Sequence, residues 1–230
     1  MKFAVDESRK IAFGYSAKSG CSHIKRIYWY LTENSFDREL HIDPKEYMSI
    51  PDNYKQYTFI LIVRNPYERL VSGFLDKYNS YPWGECRSFY KCDTITFDGF
   101  VDYVVRKECT EQKHVHHFCP QTDEFFNMEK LKNSKKLVVY DITNIDYKFI
   151  ENLYKKKIPE KVINFRGPHS NKNTSVLEKE VFTLDICKYN TSKVPTKYFY
   201  NKQLIEKVKK FYKRDFEVFN LWNIHYPEPL

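Results

Sequence analysis

Long apolar runs are absent from this chain. No hydrophobic stretch in the sequence approaches the ~18 residues that a membrane-spanning helix needs. The N-terminal segment from Met1 to Lys10 also lacks the apolar stretch of a signal peptide. The sequence therefore predicts no membrane span, and it predicts either that the protein works where it is made or that a leader is missing from this chain.

Glycine and cysteine are also scarce, with 6 of each among 230 residues. The spacing of the cysteines is not a zinc pattern. The pairs Cys86–Cys92 and Cys109–Cys119 are close enough to form disulfides in an oxidising compartment, and free thiols remain the alternative. The run from His114 to His117 has no acidic or cysteine ligand at a known spacing, so no metal site is expected.

The bulk composition is that of a globular protein. Hydrophobic residues make up 42% and charged residues 30% of the chain, which excludes a disordered protein and favours one domain over residues 1–230. The 19 Tyr and 18 Phe predict an aromatic-rich core. The net charge of +8 favours an anionic partner, although lysine runs such as 155–157 are more simply explained as solvated surface.

Hydrophobic periodicity predicts alternating strands and helices. Since such alternation is typical of parallel sheets, we expect an α/β fold: a single domain with a central parallel sheet flanked by helices. Residues 107–135 are polar and irregular and are interpreted as a lid or acceptor-binding insertion. The predicted strands are 10–15, 39–42, 58–63, 136–140 and 162–165, and the predicted helices are 22–31 with Ser22 as N-cap, one beginning at Pro66, 97–106, 146–156 and 201–213.

Two segments, residues 11–26 and 59–74, each read as a buried strand, a tight polar turn and the start of an amphipathic helix. A strand that leads into a helix N-terminus is a common phosphate-binding arrangement, because free N–H groups and the helix dipole meet the anion. Lys18 lies beside the first turn and Arg64 beside the second. The sequence therefore predicts a ligand with two separate anionic groups.

The first turn is not a P-loop. The P-loop motif is Gly-x4-Gly-Lys-[Ser/Thr], whereas here five residues separate Gly14 from Gly20, and Cys21 stands where the lysine belongs. The lysine is instead Lys18, and no strand ends in an acidic pair. Magnesium-dependent γ-phosphate chemistry is therefore not expected.

Three motifs resemble a known family. Lys18-Ser-Gly-Cys-Ser22 resembles the 5′-phosphosulfate loop of sulfotransferases that use 3′-phosphoadenosine 5′-phosphosulfate (PAPS), with Ala17 where carbohydrate sulfotransferases usually have Pro. Arg64-Asn-Pro-Tyr-Glu-Arg-Leu-Val-Ser72 resembles their 3′-phosphate motif, Arg-[Asp/Asn]-Pro-x-Glu-Arg-x-x-Ser. The segment 117–121, His-Phe-Cys-Pro-Gln, resembles the His-Trp-x-Pro-Gln element of the Golgi carbohydrate enzymes. The resemblance spans about residues 10–175.

This resemblance implies a P-loop-like nucleotide-binding fold, PAPS as co-substrate, adenosine 3′,5′-bisphosphate (PAP) as product, and no metal. Lys18 is the implied catalytic cation, since it lies beside the leaving 5′-phosphate. The implied acceptor is a hydroxyl of a carbohydrate, which can already be acidic; a tyrosine or small alcohol remains open, and no nucleic acid is expected. The implied nucleotide-binding residues are Lys18, Ser19, Gly20, Cys21, Ser22, His23, Arg64, Ser72 and Lys172.

A hydroxyl acceptor needs a general base, and two histidines compete for that role. His41 lies 23 residues before Arg64, about where many sulfotransferases place their base, and it is favoured. His117 is the second candidate, and Glu39 is a weaker third. Either histidine can instead be a hydrogen-bonded structural residue.

Two other functions remain open at this point. One is a nucleotide or small-molecule kinase with a degenerate P-loop, and the other is a basic glycan-binding domain without catalysis. Lys18, Arg64 and Ser72 are all present, which counts against a loss of catalysis.

Overall fold

A computed structural model describes residues 1–35, 46–47, 50–76, 96–106, 117–122, 126–165, 178–184 and 194–229. Its strands are β1 Lys2–Asp6, β2 Ile11–Tyr15, β3 Glu46–Tyr47, β4 Thr58–Val63 and β5 Lys136–Asp141. Its helices are α1 Cys21–Glu33, α2 Pro66–Phe74, α3 Phe97–Val105, α4 Met128–Lys132, α5 Tyr147–Tyr154, α6 Glu160–Ile163, α7 Lys202–Phe211 and α8 Lys213–Asn220, with short 3-10 turns at Tyr54–Gln56 and Thr196–Phe199.

The chain divides into two compact units. The first contains Met1–Arg64 and Gln121–Pro168, and the second contains Asn65–Pro120 and His169–Leu230. The sheet, α1, α4, α5 and α6 belong to the first unit, and α2, α3, α7 and α8 belong to the second. That the whole chain forms one domain stays a prediction.

The centre of the sheet is parallel. β4 pairs in parallel with β2 on one side, where Ile11 lies opposite Thr58, and with β5 on the other, where Thr58 lies opposite Lys136. Every residue of β4 is buried, as expected for an apolar run in a central parallel strand. The predicted α/β fold is therefore confirmed, and the three central strands lie where the sequence places them.

An antiparallel edge completes the sheet in the order β3-β1-β2-β4-β5. β1 forms a hairpin with β2, and β3 pairs with the other side of β1. The Asp6 carboxylate accepts hydrogen bonds from the N–H groups of Ser8 (3.0 Å) and Arg9 (3.1 Å), which fixes the hairpin turn. The sequence analysis missed β1, although an Asp at the start of a turn is a recognised signal.

One face of the sheet packs against α1, α5 and α6. Their apolar side chains form a common core with alternate residues of the strands, among them Phe13, Ile60 and Ile62. The Tyr28 hydroxyl of α1 also donates to the Val5 carbonyl (2.8 Å), which ties the helix to the sheet. This core explains the burial of the predicted α1 stripe, and it fixes the helix whose N-terminus follows β2.

The lysine run 155–157 is only partly solvated surface. Lys156 donates to the Tyr30 carbonyl in the last turn of α1, where a cation also interacts favourably with the helix dipole. Burial, and then the nearby Arg9 charge, lowers the pKa of Lys156. Lys157 pairs with Glu151 (3.1 Å). Two of the three lysines therefore have structural partners.

The core of the second unit is rich in aromatic rings, as predicted. The ring of Phe74 in α2 lies 5.3 Å from that of Phe97 and 5.1 Å from that of Phe100, both in α3. Phe199 and Tyr200 pack on the same Phe97 ring. The helices predicted at 97–106 and 201–213 are both confirmed, with ends shifted by one or two residues.

Two predictions from the sequence are wrong, and a third concerns residues that the structure does not describe. Residues 162–165 are not a strand, because Glu160–Ile163 form the helix α6, which begins directly after Pro159. Ser22 is not the N-cap of α1, because the helix already begins at Cys21 and its N-cap is Gly20. The strand predicted at 39–42 lies outside the described residues.

Segment 107–135 is described at residues 117–122 and 126–135. Its described part contains the helix α4, and the side chains of Phe118, Gln121 and Leu131 are buried. Its interpretation as a lid or acceptor-binding insertion stays a prediction. In the described ranges, no helix has both the length and the apolar character needed to cross a membrane.

The first prediction concerns the Asp6 turn. Burial raises the pKa of this carboxyl, but hydrogen bonds from Ser8 and Arg9 outweigh it and lower the pKa below its ordinary 3.8. A lowered folded-state pKa adds stability above the unfolded-state pKa, and this contribution is lost as pH falls through the folded-state value. We expect Asp6→Ala to lower the unfolding free energy by about 1–2 kcal/mol at neutral pH.

This difference from the unsubstituted chain should shrink as pH falls below 3.8, and denaturant unfolding over a pH series measures it. Asp52→Asn, at an exposed carboxylate, controls for the loss of one negative charge. A deficit that stays constant down to the acid limit would contradict the role assigned to the Asp6 carboxylate.

Candidate functional site

The turn between β2 and α1 has an unusual backbone. Lys18 and Gly20 both have left-handed conformations, with φ of 64° and 78°. The Ser19 N–H donates to the Ser16 carbonyl (3.1 Å), which closes the turn. Turns that place left-handed residues before a helix direct successive N–H groups to one side and form anion-binding concavities.

Gly20 is required here for space as well as for its backbone conformation. A Cβ on Gly20 would lie 2.2 Å from the Cδ1 atom of Ile142, the residue that follows β5. Within the described residues no side chain caps the helix, and the first bond of α1 runs from the Ile24 N–H to the Gly20 carbonyl (3.0 Å). The N–H groups of Cys21 and Ser22 therefore have no acceptor within the helix, and they lie at the positive end of its dipole.

A buried hydroxyl lies at the start of the same turn. Ser16 is 6% exposed, and its Oγ atom has no hydrogen-bond partner within the described part of the chain. Buried polar atoms are nearly always hydrogen-bonded, so the Ser16 Oγ atom at the start of this turn is a candidate contact for a ligand.

Arg64 directly follows β4 and reaches the first turn. Its Nη1 atom donates to the Lys18 carbonyl at 3.0 Å. The guanidinium carries five N–H donors in a planar fork, which suits phosphate oxygens. The structure thus brings together Lys18 and Arg64, the two cations that the sequence analysis selected, within the first unit.

Gln121 joins the two turns, and the sequence analysis assigned it no role. Its side chain is fully buried. Its Oε1 atom accepts from the Ser19 hydroxyl (2.7 Å) and from the Arg64 N–H (3.0 Å), and its Nε2 atom donates to the Arg64 carbonyl (2.8 Å). The only available signal was its place at the end of the His-Phe-Cys-Pro-Gln segment. The Ser19 N–H and the Ser19 hydroxyl therefore both donate to groups of the protein itself.

Two further candidates from the first turn, His23 and Cys21, contact other residues of the first unit. The Nε2 atom of His23 lies 2.9 Å from the hydroxyl of Tyr147, the first residue of α5, and the two rings meet edge to face. Cys21 is a half-buried free thiol that packs against the core of the first unit.

In the second unit, α2 carries the rest of the Arg64–Ser72 motif. Asn65 caps the helix by accepting from the Tyr67 N–H (2.9 Å), and Pro66 is its first residue as predicted. Arg69 is 1% exposed, and its Nη1 atom donates to the Cys119 carbonyl (2.7 Å). Ser72 is half-buried on this helix.

His117 also belongs to the second unit, where its backbone is held against α2. A Cβ on Gly73 would lie 2.8 Å from the Cε1 atom of Phe118 and 3.4 Å from the His117 carbonyl oxygen, so the glycine permits this close approach. The Tyr212 hydroxyl donates to the Phe118 carbonyl (2.5 Å). The side chains of His117 and Cys119 are both half-buried.

Several candidates lie outside the described residues. They include the favoured base His41, its weaker alternative Glu39 and the nucleotide-binding candidate Lys172. The same holds for Cys86, Cys92, Cys109, His114 and His116.

Comparison with known families decides the class of this protein. The model of the sulfotransferase family, family 2, matches residues 1–222, nearly the whole chain. The chain belongs to the sulfotransferase family. No curated protein and no solved structure matches it. The resemblance drawn from the three motifs is thus confirmed, and membership supports transfer of a sulfuryl group in general.

Sulfotransferases generally take the sulfuryl group from PAPS, and the first turn of this sulfotransferase fits such a ligand. The helix N-terminus offers the amides of Cys21 and Ser22, the buried Ser16 hydroxyl lies at the start of the turn, and Lys18 adds a positive charge. These are donors and a cation, which is the set that an anionic phosphosulfate requires. The absence of a metal from the reaction stays a prediction.

The second prediction tests the turn of this sulfotransferase through Gly20. Gly20→Ala should lower the unfolding free energy by about 1–2 kcal/mol from the left-handed backbone alone, with a further cost for moving Ile142. Denaturant unfolding measures the loss. Gly99→Ala is the control, because Gly99 lies in a helix, is not left-handed, and its Cβ would meet Thr96 Oγ1 at 3.2 Å. Equal stability of the two variants would show that the turn does not need glycine.

Proposed function

We propose that this sulfotransferase moves the sulfuryl group of PAPS to a hydroxyl of a carbohydrate acceptor. The observation that carries the proposal is the hydrogen bond from the Arg64 guanidinium to the Lys18 carbonyl (3.0 Å). It holds the cation that follows β4 against the turn that precedes α1. Two cations and a helix N-terminus in one small region suit a ligand with more than one anionic group.

PAPS supplies an activated sulfuryl group whose leaving group is the 5′-phosphate of the nucleotide. Negative charge then builds on that phosphate, and the chain stabilises it with groups that are already oriented. We assign this task to the Lys18 ammonium and the N–H groups of Cys21 and Ser22. Preorganised donors of this kind contribute mainly through positioning and electrostatics.

The 3′-phosphate is assigned to the second turn. Arg64 is the group whose geometry supports this, since its fork lies at the end of β4 and one of its nitrogens already points to the first turn. Ser72 and Lys172 join the assignment through the motifs alone. One lies in the second unit, and the other lies outside the described residues.

The net charge and the motifs support the carbohydrate acceptor and its base. The net charge of +8 favours an acceptor that carries acidic groups, and the motifs resemble those of carbohydrate sulfotransferases. A sugar hydroxyl is a weak nucleophile, so a base must take its proton as the new bond to sulfur forms. We keep His41 as the favoured base and His117 as the second candidate.

The third prediction tests the donor site. Lys18→Ala should reduce transfer of labelled sulfate from PAPS by ~10²–10³-fold, because the charge on the leaving phosphate loses its cation. Lys155→Ala is the matched control, since Lys155 is also a left-handed lysine, with φ of 51°, and is exposed at the end of α5. It should keep full activity. Activity equal to that of the unsubstituted chain in Lys18→Ala would remove Lys18 from the mechanism.

Calorimetric titration with PAP tests the function itself. We expect the unsubstituted chain to bind PAP at one site. The transfer assay then compares a panel of neutral and acidic glycans with free tyrosine and a small alcohol. No affinity for PAP would overturn the proposed donor, whereas PAP binding with transfer only to tyrosine would overturn the carbohydrate acceptor alone.

The fourth prediction separates the two histidines. His41→Ala should lower turnover by ~10²–10⁴-fold, because the acceptor hydroxyl loses its base. Its affinity for PAP in the same titration should change little, since a base contacts the acceptor. His117→Ala should keep most of its turnover. The reverse pattern, with loss of turnover only in His117→Ala, would transfer the role of base to His117.

A further inference from the structure

Hydrogen bonding at the end of β4 follows a strict alternation. The Thr58 N–H donates to the Lys10 carbonyl (2.9 Å), so the backbone groups of Thr58 face β2. The Val63 carbonyl accepts from the Ile142 N–H (2.9 Å), so those of Val63 face the β5 side. Because successive residues of a strand alternate between its two neighbours, the N–H and carbonyl of Arg64 face the side of β2.

Among the residues that the structure describes, no strand pairs with Arg64 on that side. β2 ends at Tyr15, and the chain then turns through the left-handed residues Lys18 and Gly20. The Gln121 side chain takes the position of the missing strand residue. Its amide accepts from the Arg64 N–H and donates to the Arg64 carbonyl, which is the pair of bonds that a neighbouring strand would make.

The same amide oxygen also accepts the Ser19 hydroxyl, so one side chain joins the end of β4 to the turn after β2. We propose that Gln121 is a positioning residue of this sulfotransferase. It sets the backbone of Arg64 and the turn that carries Lys18, and it does so without contacting the ligand. The effect on nucleotide binding rests on the proposed function, whereas the effect on the Arg64 backbone does not.

The chemistry of the site explains why the residue is glutamine. The position requires an acceptor for two donors and a donor for one carbonyl, all without water, since Gln121 is fully buried. A carboxylate of the same length would set a charged oxygen against the Arg64 carbonyl. Methionine fills a similar volume but offers neither the donor nor a strong acceptor, so it leaves buried backbone groups unsatisfied.

The fifth prediction uses Gln121→Met and two probes that each carry one phosphate. Adenosine 5′-monophosphate reports on the Lys18 turn, and adenosine 3′-monophosphate reports on Arg64. Gln121→Met should weaken calorimetric binding of both probes by about tenfold or more. Ser19→Ala removes the Gln121 bond to the first turn and keeps both bonds to the Arg64 backbone, so it should weaken binding of the 5′-probe more than that of the 3′-probe.

A stability control separates positioning from general loosening of the fold. Val162→Ala removes buried side-chain atoms of α6 in the same unit, and it should keep the affinity for both probes even where it destabilises the chain as much as Gln121→Met does. If Gln121→Met does not fold, Gln121→Glu takes its place. The Gln121→Glu side chain keeps the hydrogen bonds to Ser19 and to the Arg64 N–H but loses the hydrogen bond to the Arg64 carbonyl. It should therefore weaken binding of both probes.

Amide hydrogen exchange without nucleotide provides a second measurement. In Gln121→Met, exchange at the Arg64 N–H should accelerate about tenfold or more, while that of Ile60 in the middle of β4 stays unchanged. Unchanged exchange at Arg64, or unchanged affinity for both probes, overturns the positioning role and leaves the proposed function standing. If the unsubstituted chain binds no probe and no PAP, the proposed function fails, and the exchange result alone decides the role of Gln121.

Discussion

The end of β2 is the constraint on which the site depends. The last paired residues of β2 and β4 are Gly14 and Leu61, yet β4 continues beside β5 as far as Val63. A buried N–H or carbonyl without a partner costs about 1–3 kcal/mol, so the end of β4 requires a partner that β2 does not provide. The amide of Gln121 provides it, and the backbone after Tyr15 is then free to turn back into α1.

This arrangement explains how the Arg64 guanidinium comes to lie against the turn that carries Lys18. Arg64 donates to the carbonyl of Lys18, which is a neutral acceptor within the first turn. Crevices at the carboxyl ends of parallel strands are the usual ligand sites of α/β proteins. Donors that are held in place need no reorganisation when charge develops on a leaving group, and this lowers the free-energy barrier.

The sequence predicts the secondary structure correctly where the signal lies in residues close together in the chain. The buried run of β4, the apolar stripe of α1 and the Pro66 helix start all follow from residues close in the chain. It failed where a distant residue decides. Ser22 has the better side chain for an N-cap, but the backbone at Gly20 and its contact with Ile142 fix the helix start. Residues 162–165 are mostly apolar and resemble a strand on their own, yet Val162 lies in the helix that follows Pro159 and packs into the core of the first unit with residues distant in the sequence.

The candidate site shows the same division. Lys18 and Arg64 were found from the sequence because a charge beside a helix start has a chemical meaning of its own. Gln121 was not, because a neutral amide gains its role only from partners 57 and 102 residues away. Those partners come together through the parallel order of β2 and β4, which no local pattern encodes. The backbone of Arg64 carries the signal instead, because its N–H and carbonyl lie beyond the last residue of β2 that pairs with β4 and both bond to the side chain of Gln121.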